Sequence, residues 1–440
     1  MRQSIALILS GLCATIAANC YIFVKNIPAF IPVAILLLLC ANLLPLAVKM
    51  DFPDFRTRMC NHGNLCLRSF IGALVISVVF QLGLLLILMP LLWLDWLLSV
   101  LVCTIVLAIL FWNGMITVYL SSVQLGITHR AVGILLGLVP IANLIMLGKI
   151  IRVTDEEIGF ETLKCRIDKM RAEDQICKTK YPVLLVHGFC FLDNRYINYW
   201  GRIPGALEKN GATIYYGEQP SALSIADSAK ILAKRIARLV EDTGCEKVNI
   251  IAHSKGGLDC RYAIDQLGIG QYVASLTTIN SPHRGCKFAD VLLEKVPENI
   301  QRKIATTYNQ TLQKLGDPNP DFMAAVRDLT GTHCRQFDLE TPVPEGIYCQ
   351  SYGSLQNSAS TGKFPMNLSY HLVKYFDGDN DGIVGTDSFE WGSYYSLLTT
   401  SSKRGISHTD MIDFNRENIP GFDVREFYVQ LVARLKQMGY

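Results

Sequence analysis

The chain has 440 residues, half of them hydrophobic and 18% charged, with a net charge of +3. Seven basic and three acidic side chains lie in the first 148 residues, leaving 34 and 35 for the remainder. The length exceeds one ordinary domain, and the net charge gives no sign of nucleic acid as a partner.

The N-terminal part is dominated by long uncharged runs. Residues 4–24 and 27–48 carry no charged side chain, and residues 69–124 contain only Asp95. A helix needs about 20 apolar residues to cross a bilayer. Residues 69–124 therefore predict a helical hairpin turning near Asp95, and residues 131–148 a shorter fifth candidate. The first run also suits a cleavable signal peptide, with Ala14, Ala17 and Ala18 near its end, although neither Cys13 nor Cys20 suits a lipid-anchored cysteine. Residues 1–148 are thus expected to form an all-α transmembrane region of about five spans. Residues 149–180 turn abruptly charged and read as a solvated connector.

From residue 181 onward, strand and helix patterns alternate. Strands are expected at 182–186, 213–216, 248–252 and 273–279, with helices at 200–210 and after Ser224, which caps its helix with Asp227 three residues on. That alternation implies a mostly parallel sheet with helices on both faces. Between 285 and 336 the strand rhythm stops. Amphipathic helical spacing through Phe288, Val291, Leu292, Val296, Ile304, Leu312, Leu315, Phe322, Ala325 and Val326 suggests either a mobile cover or an ordinary packing pair. A strand is expected again at 347–351, and an amphipathic helix with core face Val424, Phe427, Leu431, Leu435 and Met438 closes the chain.

The stretch with most chemical content is Val248-Asn249-Ile250-Ile251-Ala252-His253-Ser254-Lys255-Gly256-Gly257. A serine on a strand-to-helix turn is strained, raised from the sheet, and backed by unpaired helix N–H groups. The positions two before and two after it must be small, and Ala252 and Gly256 are. Such a serine needs a base for its proton and donors for an oxyanion. In a doubly wound hydrolase the order is serine, acid, histidine. Only His408 follows the acidic turn at 377–382, so it is the base. Asp377, Asp379, Asp381 and Asp387 all remain candidates for the acid, with Asp381 in the most compact turn. A calcium loop there would need Glu at its twelfth position, where Ser388 stands. The oxyanion donors expected are the backbone N–H groups of Lys255, whose side chain is free to face solvent, and Phe189, which follows His187-Gly188.

Fourteen cysteines divide into six before residue 149 and eight after it. The latter are either buried thiols or paired, and Cys334 with Cys349 is the bridge best suited by loop length.

Taken together, His187-Gly188-Phe189, Ala252-His253-Ser254-Lys255-Gly256-Gly257, Ser281-Pro282-His283-Arg284-Gly285, Asn380-Asp381-Gly382 and Ser407-His408-Thr409-Asp410 resemble, in order and spacing, the secreted bacterial triacylglycerol lipases. The resemblance covers residues 181–440. It implies an α/β-hydrolase fold, a lid over about 286–330, carboxylic-ester hydrolysis, a lipid or ester substrate, and a triad of Ser254, Asp381 and His408. It also implies a calcium site with Asp410 as one ligand. Residues 352–370 hold no Asp or Glu for the second acidic ligand, so no cofactor is expected. Acyl transfer by the same triad, or a non-catalytic binding module, are the other readings. The basic loop at Lys49, Arg56, Arg58 and Arg68 is expected on the cytoplasmic side of the plasma membrane. If residues 131–148 then span, everything from Lys149 onward is outside the cell, whereas a re-entrant or surface-lying helix there would return the domain to the inside.

Overall fold

The computed structural model describes residues 2–440 except 89–90, 138, 140, 190–198, 221, 315 and 364–365. The chain forms two compact units, Met1–Met170 and Arg171–Tyr440.

The first unit is helical: α1 (Gln3–Ala18), α2 (Tyr21–Asn26), α3 (Ile31–Leu43), α4 (Phe55–Leu88), α5 (Trp93–Ser121), α6 (Gly126–Leu136) and α7 (Ala142–Met170). Among the described residues, Pro28–Ala47, Phe55–Leu88 and Trp93–Ser121 are long and apolar enough to cross a bilayer, and α1 and α6 are shorter apolar helices. The hairpin α4–α5 is present. Its helices pack closely where Gly63 meets Gly114, since a methyl on Gly63 would lie 2.9 Å from the Gly114 carbonyl oxygen. Asp95 sits in the first turn of α5 and pairs with Lys25 at 2.5 Å.

The fifth expected span, residues 131–148, is not one helix. α6 closes at Leu136, Ile141 takes φ 67°, and α7 begins at Ala142. Residues 149–170, expected as connector, continue α7. Its buried Glu157 accepts the Ser122 hydroxyl and the N–H groups of Val123 (2.9 Å) and Gln124 (3.2 Å), satisfying backbone donors in the turn before α6.

The second unit runs β1 (Val183–Val186), α8 (Ile203–Lys209), β2 (Ile214–Tyr216), α9 (Ile225–Thr243), β3 (Val248–His253), α10 (Lys255–Gln266), β4 (Val273–Ile279), α11 (Lys287–Lys295), α12 (Glu298–Lys314), α13 (Phe322–Asp328), α14 (Gly331–Glu340), β5 (Tyr348–Ser354), α15 (Met366–Asp377), β6 (Tyr394–Leu398) and α16 (Val424–Gln437). The six strands lie in the order β2-β1-β3-β4-β5-β6, all parallel.

Alternate strand residues feed the two faces, as strand geometry requires. Val183, Leu185, Ile251 and Ile279 pack with Ile203 of α8 and Tyr428 and Leu431 of α16. Leu184, Val186, Ile250 and Leu276 pack against Ala229, Leu232 and Ile236 of α9 and Ala263 of α10. α9 begins as expected, with the Asp227 N–H donating to Ser224 Oγ at 3.1 Å, and ends at Gly244 with φ 68°.

One strand had not been expected, and one expectation needs correction. β6 gave no strand signal, because it is an edge strand whose side chains are only part-buried. Among the described residues, which leave out Leu315, the insertion between β4 and β5 is four helices, α11–α14, extending to Glu340, and Ile304 does not face inward. Ala305 and Leu312 supply the buried positions of α12, while Ile300, Ile304 and Tyr308 form an exposed stripe at four-residue spacing.

Candidate active site

The turn between β3 and α10 holds Ser254 at φ 55°, ψ −131°, backbone strain of the kind that concentrates at functional sites. Its N–H donates to the Ile279 carbonyl at 2.9 Å, fastening the turn to β4. The two following glycines are required by space. A methyl on Gly256 would lie 2.4 Å from the His187 carbonyl oxygen, and one on Gly257 2.2 Å from Ser281 Oγ. Ser254 itself is 8% exposed, at the N-terminus of α10 where backbone donors lack helical partners.

Of the four carboxylates in and after the acidic turn, geometry singles out Asp381. His408 Nδ1 lies 2.6 Å from Asp381 Oδ2, and the His408 backbone N–H donates to the Asp381 carbonyl at 2.8 Å. Asp381 is fully buried, and its other oxygen accepts the N–H groups of Ile383 (2.9 Å) and Val384 (2.8 Å). Asn280 Nδ2 donates to Oδ2 at 2.6 Å. Asn280, at the end of β4 with φ 49°, escaped the sequence reading. Its place directly before Ser281-Pro282 was the available signal. Asp377 instead accepts the N–H groups of Lys287 and Phe288 at the start of α11, and Asp379 and Asp387 are exposed.

His408 and the serine turn are neighbours: the rings of His408 and His253, the residue before Ser254, lie 4.5 Å apart. The loop at His187-Gly188-Phe189 approaches from β1. A methyl on Gly188 would be 2.7 Å from Ser254 Cβ, so only glycine brings this backbone so close. His187 Nε2 lies 2.8 Å from the Gln219 carbonyl, and Gln219 Nε2 donates to the His187 carbonyl at 2.9 Å.

A second overlooked residue, Tyr199, accepts the Gly188 N–H at 2.9 Å and meets His253 Nδ1 at 2.6 Å. With the phenol accepting from Gly188, its own proton is donated to His253. Burial, and then the nearby His408, hold the His253 pKa well below its ordinary value. Phe189 is part-buried, its ring 5.3 Å from Phe322 of α13.

The Lys255 side chain does not face solvent. It is 2% exposed, and its Nζ donates to Asp259 Oδ1 at 2.6 Å and Ser228 Oγ at 3.0 Å, tying α10 to α9. The reason is position: the residue after the nucleophile starts a helix packed under the sheet. Burial pushes the Asp259 carboxyl up to about 6, against the pull of Lys255.

Asp410, the calcium candidate, has both carboxylate oxygens engaged by protein donors. Its Oδ2 accepts the Ser407 N–H (2.8 Å) and hydroxyl (2.7 Å), and its Oδ1 accepts from Arg404 at 2.9 Å. A guanidinium thus occupies the oxygen that a cation would need. Among the described residues no group of three or more His, Cys, Asp or Glu is placed to hold a metal. Cys334 and Cys349 are buried free thiols rather than a bridge. A cavity of about 550 Å³ exists among α4–α7, with Phe70, Trp96 and Phe111 in its walls, but its lining contains no acid, base or histidine.

No family model matches the chain. It is 28% identical over 273 residues to triacylglycerol lipase 2 of Saccharomyces cerevisiae, covering 56% of this chain and 78% of that one. To the triacylglycerol lipase of Burkholderia plantarii it is 32% identical over 220 residues, 47% of this chain and 59% of that enzyme's length. The match to the Vibrio cholerae triacylglycerol lipase is 28% identical over 286 residues, 60% and 89% of the two chains. Among solved structures, Staphylococcus hyicus lipase overlays with TM-score 0.48 at 18% identity, covering 59% of this chain and 97% of that one. The second unit is a triacylglycerol lipase-like α/β-hydrolase domain, a distant homologue of the three lipases matched by sequence. It follows N-terminal apolar helices that could span a membrane.

Proposed function

We propose that the protein is a membrane-anchored serine hydrolase that cleaves carboxylic esters of lipids. The observation that carries the reading is the fully buried Asp381 holding His408 at 2.6 Å, beside a strained serine turn. Ser254 Oγ attacks the acyl carbonyl while His408 takes its proton and then returns it to the leaving alkoxide. Asp381 keeps the proton-bearing Nδ1 turned inward and stabilises the imidazolium. The N–H groups of Lys255 and Phe189 receive the oxyanion, and water then releases the acyl group from Ser254. The lipase relatives support an ester substrate, and the exposed apolar stripe on α12 supports a lid that opens at an oily surface.

Because α6 ends at Leu136 and α7 begins at Ala142, we read residues 131–148 as not crossing the bilayer. On that reading the charge rule favours the cytoplasm, the side of Arg130 and the basic loop at 49–68, for the hydrolase domain. The test of the activity is Ser254→Ala, which should abolish both hydrolysis of p-nitrophenyl esters and fluorophosphonate labelling of the full chain. Labelling that persists in the variant would assign the nucleophile elsewhere.

A further inference from the structure

His408 sits on a loop whose backbone is fastened at both ends of a short stretch. The Ile406 N–H donates to the Leu355 carbonyl at 2.7 Å, and the His408 N–H to Asp381. What holds the far side of this loop is a cluster of charges. Arg404 Nη2 donates to Asp410 Oδ1 at 2.9 Å and to Glu417, and Glu417 also pairs with Lys363. Asp410 is 5% exposed, and its second oxygen is used by Ser407, the residue before His408.

Two carboxylates, Asp410 and Glu417, therefore converge on one guanidinium nitrogen. Two cations, Arg404 and Lys363, balance them. A calcium ion requires six to eight oxygen ligands and a negative field to offset its dehydration. A cluster already neutral, with a guanidinium at its centre, offers neither. We propose that Arg404 is a positioning residue that stands where a divalent cation would otherwise brace the histidine loop, so that this domain is independent of calcium. The term histidine loop rests on the esterase reading, whereas the bracing itself does not.

The experiment is thermal melting of the purified full chain in EDTA and in calcium at about the millimolar level typical of weak extracellular sites, alongside ester kinetics. The natural protein should melt at the same temperature in both. Arg404→Ala should melt about 5–10 °C lower in EDTA, because buried Asp410 loses its cation and Glu417 keeps only Lys363. It should recover part of that loss in calcium, which can bind between the vacated carboxylates, and its kcat should fall with KM unchanged. Arg404→Lys, keeping the charge but not the fork, should melt between the two and ignore calcium.

A natural protein that gains in calcium or loses in EDTA would overturn the inference, and so would an Arg404→Ala variant that melts like the natural protein. An Arg404→Ala variant that is destabilised yet blind to calcium would overturn the claim that the guanidinium takes a cation's place. Should the natural protein hydrolyse no ester, the activity reading fails while the melts still decide this one.

Discussion

Asp381→Asn is the substitution whose consequences the geometry specifies most closely. The carboxylate accepts four hydrogen bonds: Ile383 and Val384 N–H on one oxygen, His408 Nδ1–H and Asn280 Nδ2 on the other. An asparagine keeps one accepting oxygen. If that oxygen stays with the two backbone donors, its NH2 faces the Asn280 NH2 and the His408 Nδ1–H, donor against donor. The imidazole escapes by moving its proton to Nε2, and Nε2 can then no longer accept the serine proton. A wrong tautomer of this kind costs a factor of about 10⁴, or ~5.4 kcal/mol in the barrier. The unsatisfied donor costs a further 1–3 kcal/mol or so of stability.

The controls lie in the same turn. Asp377→Asn weakens the cap of α11, worth about 1 kcal/mol, and should leave kcat within a fewfold of the original. Asp379→Asn, at an exposed site, should change neither. The assay is kcat and KM on a soluble p-nitrophenyl ester, with circular dichroism to show that each variant is folded. Equal losses in all three variants, or an Asp381→Asn enzyme within tenfold of the natural rate, would refute the assignment.

Acid should destabilise the domain through His283. Burial, with Arg261 3.0 Å from its Nδ1, holds its pKa well below the ordinary 6.5. The unfolded chain gains a proton as pH falls through 6.5 and the native state does not, so this contribution is present above 6.5 and lost below it. Relative to His283→Gln, the natural protein should lose about 1.4 kcal/mol per pH unit under 6.5 in denaturant titrations, and parallel curves would refute this. Asp259, raised to about 6, acts in the opposite sense in both proteins and cancels from the comparison. The lid reading predicts that Ile300→Ser/Ile304→Ser lowers the rate on emulsified ester severalfold while sparing a monomeric one. Equal effects on both substrates would leave α12 as an ordinary packing helix. For topology, protease added to intact cells should leave residues 171–180 uncut until lysis, and cleavage in intact cells would restore the extracytoplasmic placement.

Sequence alone determined what depends on neighbours along the chain. The apolar runs of the first unit, the strand–helix alternation of the second, the Ser224 cap and the small residues around Ser254 are local patterns. Burial period, capping and tight turns are all set within a few residues. Order along the chain also selected His408, because no other histidine follows the acidic turn. What only the tertiary structure decided was every question of which groups meet. Four aspartates fit the acid by sequence, and just one faces His408. Asn280 and Tyr199 come to the site from distant elements, and nothing local distinguishes them from other polar core residues. Lys255 looked like a solvent-facing lysine until Asp259 and Ser228 were seen around it. Asp410 read by sequence as a ligand candidate, and its two oxygens instead accept from Ser407 and Arg404. A buried charge is tolerated only with its partner, and sequence does not contain the partner's position.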